Sequence, residues 1–200
     1  MFFPEGYKPL LGPHETEKAI KDAKDTFERE LSGALRLSRV TSPLFVPSAS
    51  GINDDLNGIE NPVRFSVKNL EGKDMEIIQS LAKWKRMALA DYKIAHGRGI
   101  YTDMNALRPD DDIDAIHSIY VDQWDWEKVI TKDERNLDYL KETVRTIYSA
   151  IKRTSFLLSE DFPEIHDTLP EDITFVFSED ARDEFPTLTP QERERELAKR

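Results

Sequence analysis

The stretch that decides the fold is His117-Ser118-Ile119-Tyr120-Val121-Asp122-Gln123-Trp124-Asp125-Trp126. Its side chains alternate between two faces, as they do on a half-buried β-strand. One face carries Ile119, Val121, Gln123 and Asp125, and the other carries Tyr120, Asp122, Trp124 and Trp126. The first face therefore begins apolar and ends on an amide and a carboxylate that point the same way. Either the strand leaves the core after Val121, or Gln123 and Asp125 line a cleft at its end.

The preceding segment, residues 100–107, predicts a second strand on the other side of an acidic loop. One face of this strand carries Ile100, Thr102, Met104 and Ala106. Arg108 continues that face and opens the loop Pro109-Asp110-Asp111-Asp112. We interpret the aspartates as a solvated turn. A planar guanidinium at the mouth of a sheet, by contrast, suits a bidentate grip on phosphate or carboxylate.

Residues 80–95 predict a helix with one apolar stripe, formed by Leu81, Trp84, Ala88, Leu89 and Tyr92. Lys85 falls inside this stripe, whereas Lys83 and Arg86 fall on the opposite side. A lysine in such a position usually lays its stem on apolar surface and extends its ammonium group into water. The alternative is that Lys85 points into a pocket and holds an anion.

The rest of the chain predicts further helices and strands. We expect helices over residues 13–33, ending at Gly33, and over residues 137–151. We expect extended chain over residues 34–40, paired strands over 63–67 and 75–78, and a buried strand over 173–177. A capping box, Thr189-Pro190-Gln191-Glu192, predicts the start of a last helix. Because no stop signal follows it, we expect residues 1–200 to be a single domain truncated on its C-terminal side.

The composition excludes several classes of chemistry. The 200 residues include no cysteine, so thiol nucleophiles and thiolate metal sites are excluded. The 4 histidines lack metal-ligand spacing, and no Gly-rich phosphate loop is present, so we expect no protein metal site and no Walker-type nucleotide site. A net charge of −11 argues against nucleic acid as a partner. No apolar run is long enough to span a membrane, and we expect a cytoplasmic protein.

Three segments together resemble a known family. They are Ser80-Leu81-Ala82-Lys83-Trp84-Lys85-Arg86, Tyr101-Thr102 through Ala106-Leu107-Arg108-Pro109-Asp110, and the strand of residues 117–127 with its V-D-Q-W-D-W-E sequence. They resemble the ammonia-dependent asparagine synthetases, also called aspartate–ammonia ligases. The loop of residues 53–58 is similar to the D-N-L-S/N-G element of that family, with Asp55 where asparagine is common.

The resemblance implies an α+β fold, namely the antiparallel sheet flanked by helices of the class II aminoacyl-tRNA synthetase catalytic domain. The first helix, the following strand and Pro43 resemble the first class II motif, which builds a homodimer interface. The strand–loop–strand around Arg108 resembles the second motif, which holds ATP. The third motif is expected after Arg200. Residues 1–200 are therefore expected to be part of a catalytic domain and to be inactive alone.

The resemblance also implies a reaction and a set of residue roles. An ATP-dependent ligase would convert aspartate to β-aspartyl-AMP and pyrophosphate, and ammonia would then displace AMP. Lys85 is expected to bind the carboxylate of aspartate that does not react, and Gln123 and Asp125 its ammonium group. Arg108 is expected to neutralise charge on the α-phosphate and the reacting carboxylate. Asp54 would help to deprotonate ammonium, Ser80 would contact the substrate, and Mg²⁺ would bridge the phosphates of ATP.

Two other functions fit parts of this pattern. The first is a fragment of an aspartyl- or asparaginyl-tRNA synthetase, which the strongly acidic charge disfavours. The second is a catalytically inactive paralogue that binds an amino acid. The presence of Lys85, Arg108, Gln123 and Asp125 argues against an inactive protein, whereas the absence of the third motif from residues 1–200 argues for one.

Overall fold

The computed structural model describes residues 4–54 and 56–199, which form an α+β fold. The chain clusters into two compact units, Met1–Asp167 and Thr168–Arg200. The larger unit contains α1 (Pro13–Leu35), β1 (Leu37–Arg39), β2 (Phe45–Pro47), β3 (Arg64–Ser66), β4 (Asp74–Ile77), α2 (Ala82–Asp91), β5 (Gly99–Leu107), β6 (Tyr120–Lys128) and α3 (Leu137–Asp161). Asp55, the residue that departs from the family element, lies outside the described residues.

The two decisive strands pair as a long antiparallel hairpin. In β5 and β6, Thr102 lies opposite Asp125 and Met104 lies opposite Gln123. The predicted strands therefore exist, and their predicted faces meet on one side of the sheet. On the other edge, β1 pairs with β5 in parallel, with Leu37 opposite Gly99. The sheet order is thus β1-β5-β6, with one parallel and one antiparallel pairing.

Helices α1 and α3 cover one face of this sheet. Phe27 of α1 stacks on Trp124 with ring centroids 5.0 Å apart. The hydroxyl of Tyr101 donates a hydrogen bond of 2.6 Å to Glu28. Burial, and then the bond to the Glu28 carboxylate, raise the pKa of Tyr101 to about 12, which keeps the phenol protonated. The buried cluster on this face consists of Leu31, Leu35, Leu37, Tyr101 and Ala150.

The opposite face of the sheet packs against α2 and a second, smaller sheet. The second sheet has the order β2-β4-β3, and both of its pairings are antiparallel. Its β3–β4 hairpin confirms the predicted strand pair. The buried cluster on this side consists of Val46, Ile78, Leu81, Met104 and Ala106. The face of β5 and β6 that carries Gln123 and Asp125 is therefore the face that meets α2.

Four predicted helix boundaries are wrong. Helix α1 does not end at Gly33 but continues to Leu35, which is buried, and the left-handed residue after it is Arg36 with φ 58°. Burial of Leu35 extends the helix past a glycine whose sequence signal favoured a stop. Helix α2 spans Ala82–Asp91 rather than residues 80–95, and α3 continues past residue 151 to Asp161. The Ser80 hydroxyl instead accepts a hydrogen bond of 3.3 Å from the Ala82 N–H, just before the first turn.

The smaller unit contains α4 (Ser178–Glu184) and α5 (Pro190–Leu197). The capping box of α5 is confirmed, because Thr189 Oγ1 accepts from the Glu192 N–H and the Glu192 carboxylate accepts from the Thr189 N–H. The predicted strand over 173–177 is wrong, since this segment has no regular secondary structure. Among the described residues of this unit the regular elements are helices, so the unit itself contains no strand that could pair with this segment.

Candidate functional site

Lys85, on the sheet-facing side of α2, is almost completely buried, with 3% of its surface exposed. Its ammonium group forms an ion pair with the Asp125 carboxylate and donates a hydrogen bond of 3.2 Å to the Trp126 carbonyl. The interpretation that the Lys85 side chain extends into water is therefore wrong. The alternative was that Lys85 points into a pocket and holds an anion, and the anion beside it in the structure is the Asp125 carboxylate of the chain itself.

This ion pair is asymmetric in its exposure. The Lys85 side chain is 4% exposed, whereas the Asp125 side chain is 23% exposed. Burying a charge is costly unless a partner compensates it, and the attraction between buried ions often does no more than balance their desolvation. Such a pair therefore adds little net stability. The partial exposure of Asp125 leaves one side of the pair open to a small charged molecule.

Gln123 lies two residues before Asp125 on the same face of β6. Its side-chain N–H group lies 3.2 Å from the Met104 sulfur on the opposing strand. A thioether is a weak acceptor, so the Gln123 amide loses little when it turns to a stronger partner. Lys85, Asp125 and Gln123 thus form one group, which we call the ion-pair end of the site.

Arg108 follows β5 directly and is half-buried. Its Nε and one terminal nitrogen donate to the Gln79 carbonyl at 3.4 and 3.3 Å. One edge of the guanidinium fork is thus fixed to the chain after β4. A guanidinium carries more N–H groups than these bonds use, and its planar fork matches the oxygens of phosphate and carboxylate.

Asn53 fixes the loop that carries Asp54, a role that the sequence did not reveal. Its side-chain N–H donates 3.1 Å to the Ile77 carbonyl, and its side-chain oxygen accepts 2.8 Å from the Gln79 N–H and 3.1 Å from the Asp54 N–H. Asn53 is 8% exposed, so these bonds are shielded from water. A buried amide with several backbone partners holds a loop in one conformation.

Lys83 also contacts this loop. Its ammonium group donates 3.2 Å to the Asn53 carbonyl and lies 3.9 Å from the Asp54 carboxylate. Lys83 was expected to point away from the apolar stripe of α2, and its side chain is indeed 45% exposed. Its contacts nevertheless make it part of the surroundings of Asp54. We call the group of Arg108, Gln79, Asn53, Asp54 and Lys83 the loop end of the site.

The structure thus brings the predicted residues together in two groups. Lys85, Gln123 and Asp125 form the ion-pair end. Arg108 and Asp54 belong to the loop end, where Arg108 is hydrogen-bonded to Gln79 and Asp54 is hydrogen-bonded to Asn53. Gln79 and Asn53 are in turn bonded to each other. Ser80 follows Gln79 directly and is half-buried. Across residues 4–54 and 56–199, no cluster of three or more histidine or acidic side chains is arranged to hold a metal ion. In the same residues, no helix is long and apolar enough to cross a bilayer.

The fold and the site define a class of protein: an α+β domain in which one face of the sheet carries a buried lysine paired with an aspartate. A sequence model of the aspartate-ammonia ligase family matches residues 14–200. The chain belongs to the aspartate-ammonia ligase family.

Curated relatives extend beyond the matched region. An aspartate–ammonia ligase of Clostridium perfringens is 56% identical over 199 residues, which are 100% of this chain and 59% of that protein. Its counterpart in Parabacteroides distasonis is 55% identical over 98% of this chain and 57% of that protein. The chain thus spans less than two thirds of the length of these relatives. A solved pyrrolysyl-tRNA synthetase of Desulfitobacterium hafniense is 15% identical, with a TM-score of 0.44 over 72% of this chain and 60% of that one.

Proposed function

We propose that the complete protein is an ATP-dependent aspartate–ammonia ligase with a class II synthetase-like catalytic domain, which makes asparagine through β-aspartyl-AMP. The observation that carries the proposal is the buried ion pair of Lys85 and Asp125. Family membership supports the substrates, since the matched relatives are named for aspartate and ammonia. The absence of cysteine fits direct use of ammonia, because no thiol in residues 1–200 can release it from glutamine.

A buried lysine–aspartate pair is complementary to a zwitterion. The carboxylate of an amino acid that does not react fits Lys85, and its ammonium group fits Asp125 and the side-chain oxygen of Gln123. The ligand then replaces one buried ion pair by two, so no charge is left without a partner. Ser80, at the start of α2, is proposed as a further contact to aspartate. This arrangement leaves the β-carboxylate of aspartate free to react.

The reaction proceeds by adenylation and aminolysis. An oxygen of the β-carboxylate attacks the α-phosphorus of ATP, and pyrophosphate leaves. Arg108 neutralises the charge that the two anions bring together. The nitrogen of ammonia then attacks the activated carbonyl carbon, and AMP leaves with the electron pair of the broken C–O bond. Asp54 accepts the proton that the nitrogen loses.

Mg²⁺ is proposed as the counter-ion of the ATP phosphates, because it is bound in such sites largely by phosphate oxygens and water. The described residues offer no acidic cluster that would hold the ion without the nucleotide. The spare N–H groups of Arg108 do fit a phosphate of ATP. We also propose a cytoplasmic location, where aspartate, ATP and ammonia are all present.

The products of ATP test the reaction. The protein expressed from its complete gene is expected to release AMP and pyrophosphate with asparagine, in equal amounts, when aspartate, ATP and ammonium are supplied. A fragment of residues 1–200 is expected to release none of them. Separation of the nucleotides by chromatography measures the outcome. Release of ADP and phosphate would contradict the adenylate, because it requires attack at the γ-phosphorus.

A homodimer through α1 and the region of Pro43 is also proposed. Beside Pro43 the large apolar side chains of Leu44 and Phe45 are 52% and 44% exposed, and Ile20 of α1 is 47% exposed. Large apolar side chains that are exposed next to each other in the chain, as Leu44 and Phe45 are, are typical of protein interfaces. Sedimentation of the intact protein at micromolar concentration is expected to give twice the chain mass, and Leu44→Asp is expected to shift it toward the monomer. A monomeric wild-type protein would contradict the proposal.

A further inference from the structure

Gln79, which follows β4, carries a side chain with no use in the reaction described above. The residue is 1% exposed, and within the described chain neither its side-chain nitrogen nor its side-chain oxygen has a hydrogen-bond partner. A buried amide in this state has lost its water without compensation. Such groups are rare in native proteins, and a ligand that occupies them is one explanation.

The backbone hydrogen bonds of Gln79 locate the residue at the loop end of the site. Its backbone N–H donates to the Asn53 side chain at 2.8 Å, and its carbonyl accepts from Arg108 at 3.3 and 3.4 Å. Gln79 thus joins the arginine to the loop that carries Asp54. This is the loop end of the site, where the proposed function puts the reacting carboxyl group and ammonia.

We propose that the side-chain amide of Gln79 binds the reacting centre during aminolysis, an inference that rests on the proposed ligase function. Its oxygen accepts a hydrogen bond from an N–H of ammonia, and its nitrogen donates one to the acyl oxygen. The product is itself a primary amide, with N–H groups and a carbonyl oxygen side by side. A second amide offers it the complementary acceptor and donor.

The proposed contact of Gln79 with the acyl oxygen assists aminolysis but not adenylation, because the two half-reactions occur at different atoms. Adenylation occurs at phosphorus, so the acyl carbon stays planar and its oxygen gains no full charge. In aminolysis a C–N bond forms, the acyl oxygen becomes an oxyanion, and the C–O bond to AMP then breaks. A donor aimed at that oxyanion stabilises only the second transition state. The neutral Gln79 oxygen orients ammonia without taking its proton, which passes to Asp54.

The test is Gln79→Met in the protein expressed from its complete gene. Methionine keeps the length of the side chain and removes both polar atoms. The value of kcat/KM for ammonium is expected to fall by about 100-fold, the usual effect of losing one oxyanion donor. Aspartate-dependent exchange of pyrophosphate into ATP, which needs no ammonia, is expected to change by less than about threefold. The melting temperature is expected to stay the same or rise, because two unsatisfied polar atoms are lost.

Gln123→Met is the matched control, since it makes the same change at the ion-pair end. It is expected to raise KM for aspartate in the exchange reaction, which Gln79→Met leaves nearly unchanged. An unaltered ammonium dependence in Gln79→Met overturns the proposal. A parallel fall in exchange by the folded variant also overturns it, because the amide then serves aspartate binding.

If Gln79→Met does not fold, Gln79→Asn provides the same test. Asparagine keeps the amide group, but its side chain is one methylene shorter, so the amide no longer reaches the reacting centre. The ammonium dependence must weaken in that variant as well. The wild-type protein separates this inference from the proposed function. Absence of aspartate-dependent exchange in the wild type refutes the ligase proposal itself, whereas normal exchange with an unaltered variant refutes only the role of Gln79.

Discussion

Replacing Lys85 by methionine is expected to lower kcat/KM for aspartate by about 30- to 1,000-fold, equivalent to about 2–4 kcal/mol. Methionine retains an apolar stem between α2 and the sheet but removes the ammonium group of a residue that is only 3% exposed. The substrate carboxylate would then be buried without a cation, and Asp125 would lose its partner. Steady-state rates over a range of aspartate concentrations measure the effect, and the KM for ammonium is expected to stay unchanged.

Arg86→Met is the appropriate control on the same helix. Arg86 is 72% exposed and lies 3.7 Å from Glu127, so its loss is expected to change kcat/KM by less than about threefold. Lys83→Met is less suitable, because Lys83 contacts Asn53 and Asp54. Equal, small effects of Lys85→Met and Arg86→Met in folded protein would remove Lys85 from the aspartate site. Circular dichroism melting establishes that both variants are folded.

Replacing Arg108 by lysine is expected to slow aspartate-dependent pyrophosphate exchange by about 10²- to 10³-fold. Lysine keeps the positive charge but not the planar fork, which holds the Gln79 carbonyl with one edge and presents its remaining N–H groups to a ligand. The effect is expected mainly in kcat, because charge at the α-phosphate builds up in the transition state. KM for aspartate is expected to change less, since Lys85 and Asp125 bind the part of aspartate that does not react.

Arg64→Lys is the matched control for Arg108→Lys. Arg64 is 63% exposed on β3 and pairs with Glu76 at 3.5 Å, and neither residue belongs to the loop end or the ion-pair end. Its replacement is expected to change the exchange rate by less than about threefold. An exchange rate near that of the wild type in Arg108→Lys would mean that charge alone suffices there. Arg108 would then act by its charge rather than by a bidentate contact.

The features of this protein that could be predicted are those that depend on residues close together in the sequence. The alternation of polar and apolar side chains in residues 117–126 predicted a strand and the residues on each of its faces. The hairpin of β5 and β6 contains this strand with those faces. The stripe of α2 identified Lys85 as a charge on an apolar face, and the capping box located the start of α5. Strand and helix periodicity are local properties, so a single sequence is enough to detect them.

The unpredictable parts depend on residues far apart in the chain. Residues 173–177 have the composition of a strand. A segment forms a strand, however, only where a second strand lies beside it, and composition does not reveal whether one does. Asn53 and Gln79 show no pattern in sequence, and their role arises because the loop after β2, the end of β4 and the end of β5 meet. The orphaned amide of Gln79 is visible only when the atoms around it are known.

The sequence by itself determined the face of each decisive strand and which charged residues lie on apolar faces, since both follow from the period of a helix or strand. The α+β class was implied by the resemblance to a family. Only the tertiary structure decided what those charges meet. Periodicity gives the direction of Lys85 but not its partner, which is Asp125, separated from it by 40 residues. The parallel pairing of β1 with β5 was likewise decided by packing, because the pattern of a strand is the same whichever way its neighbour runs.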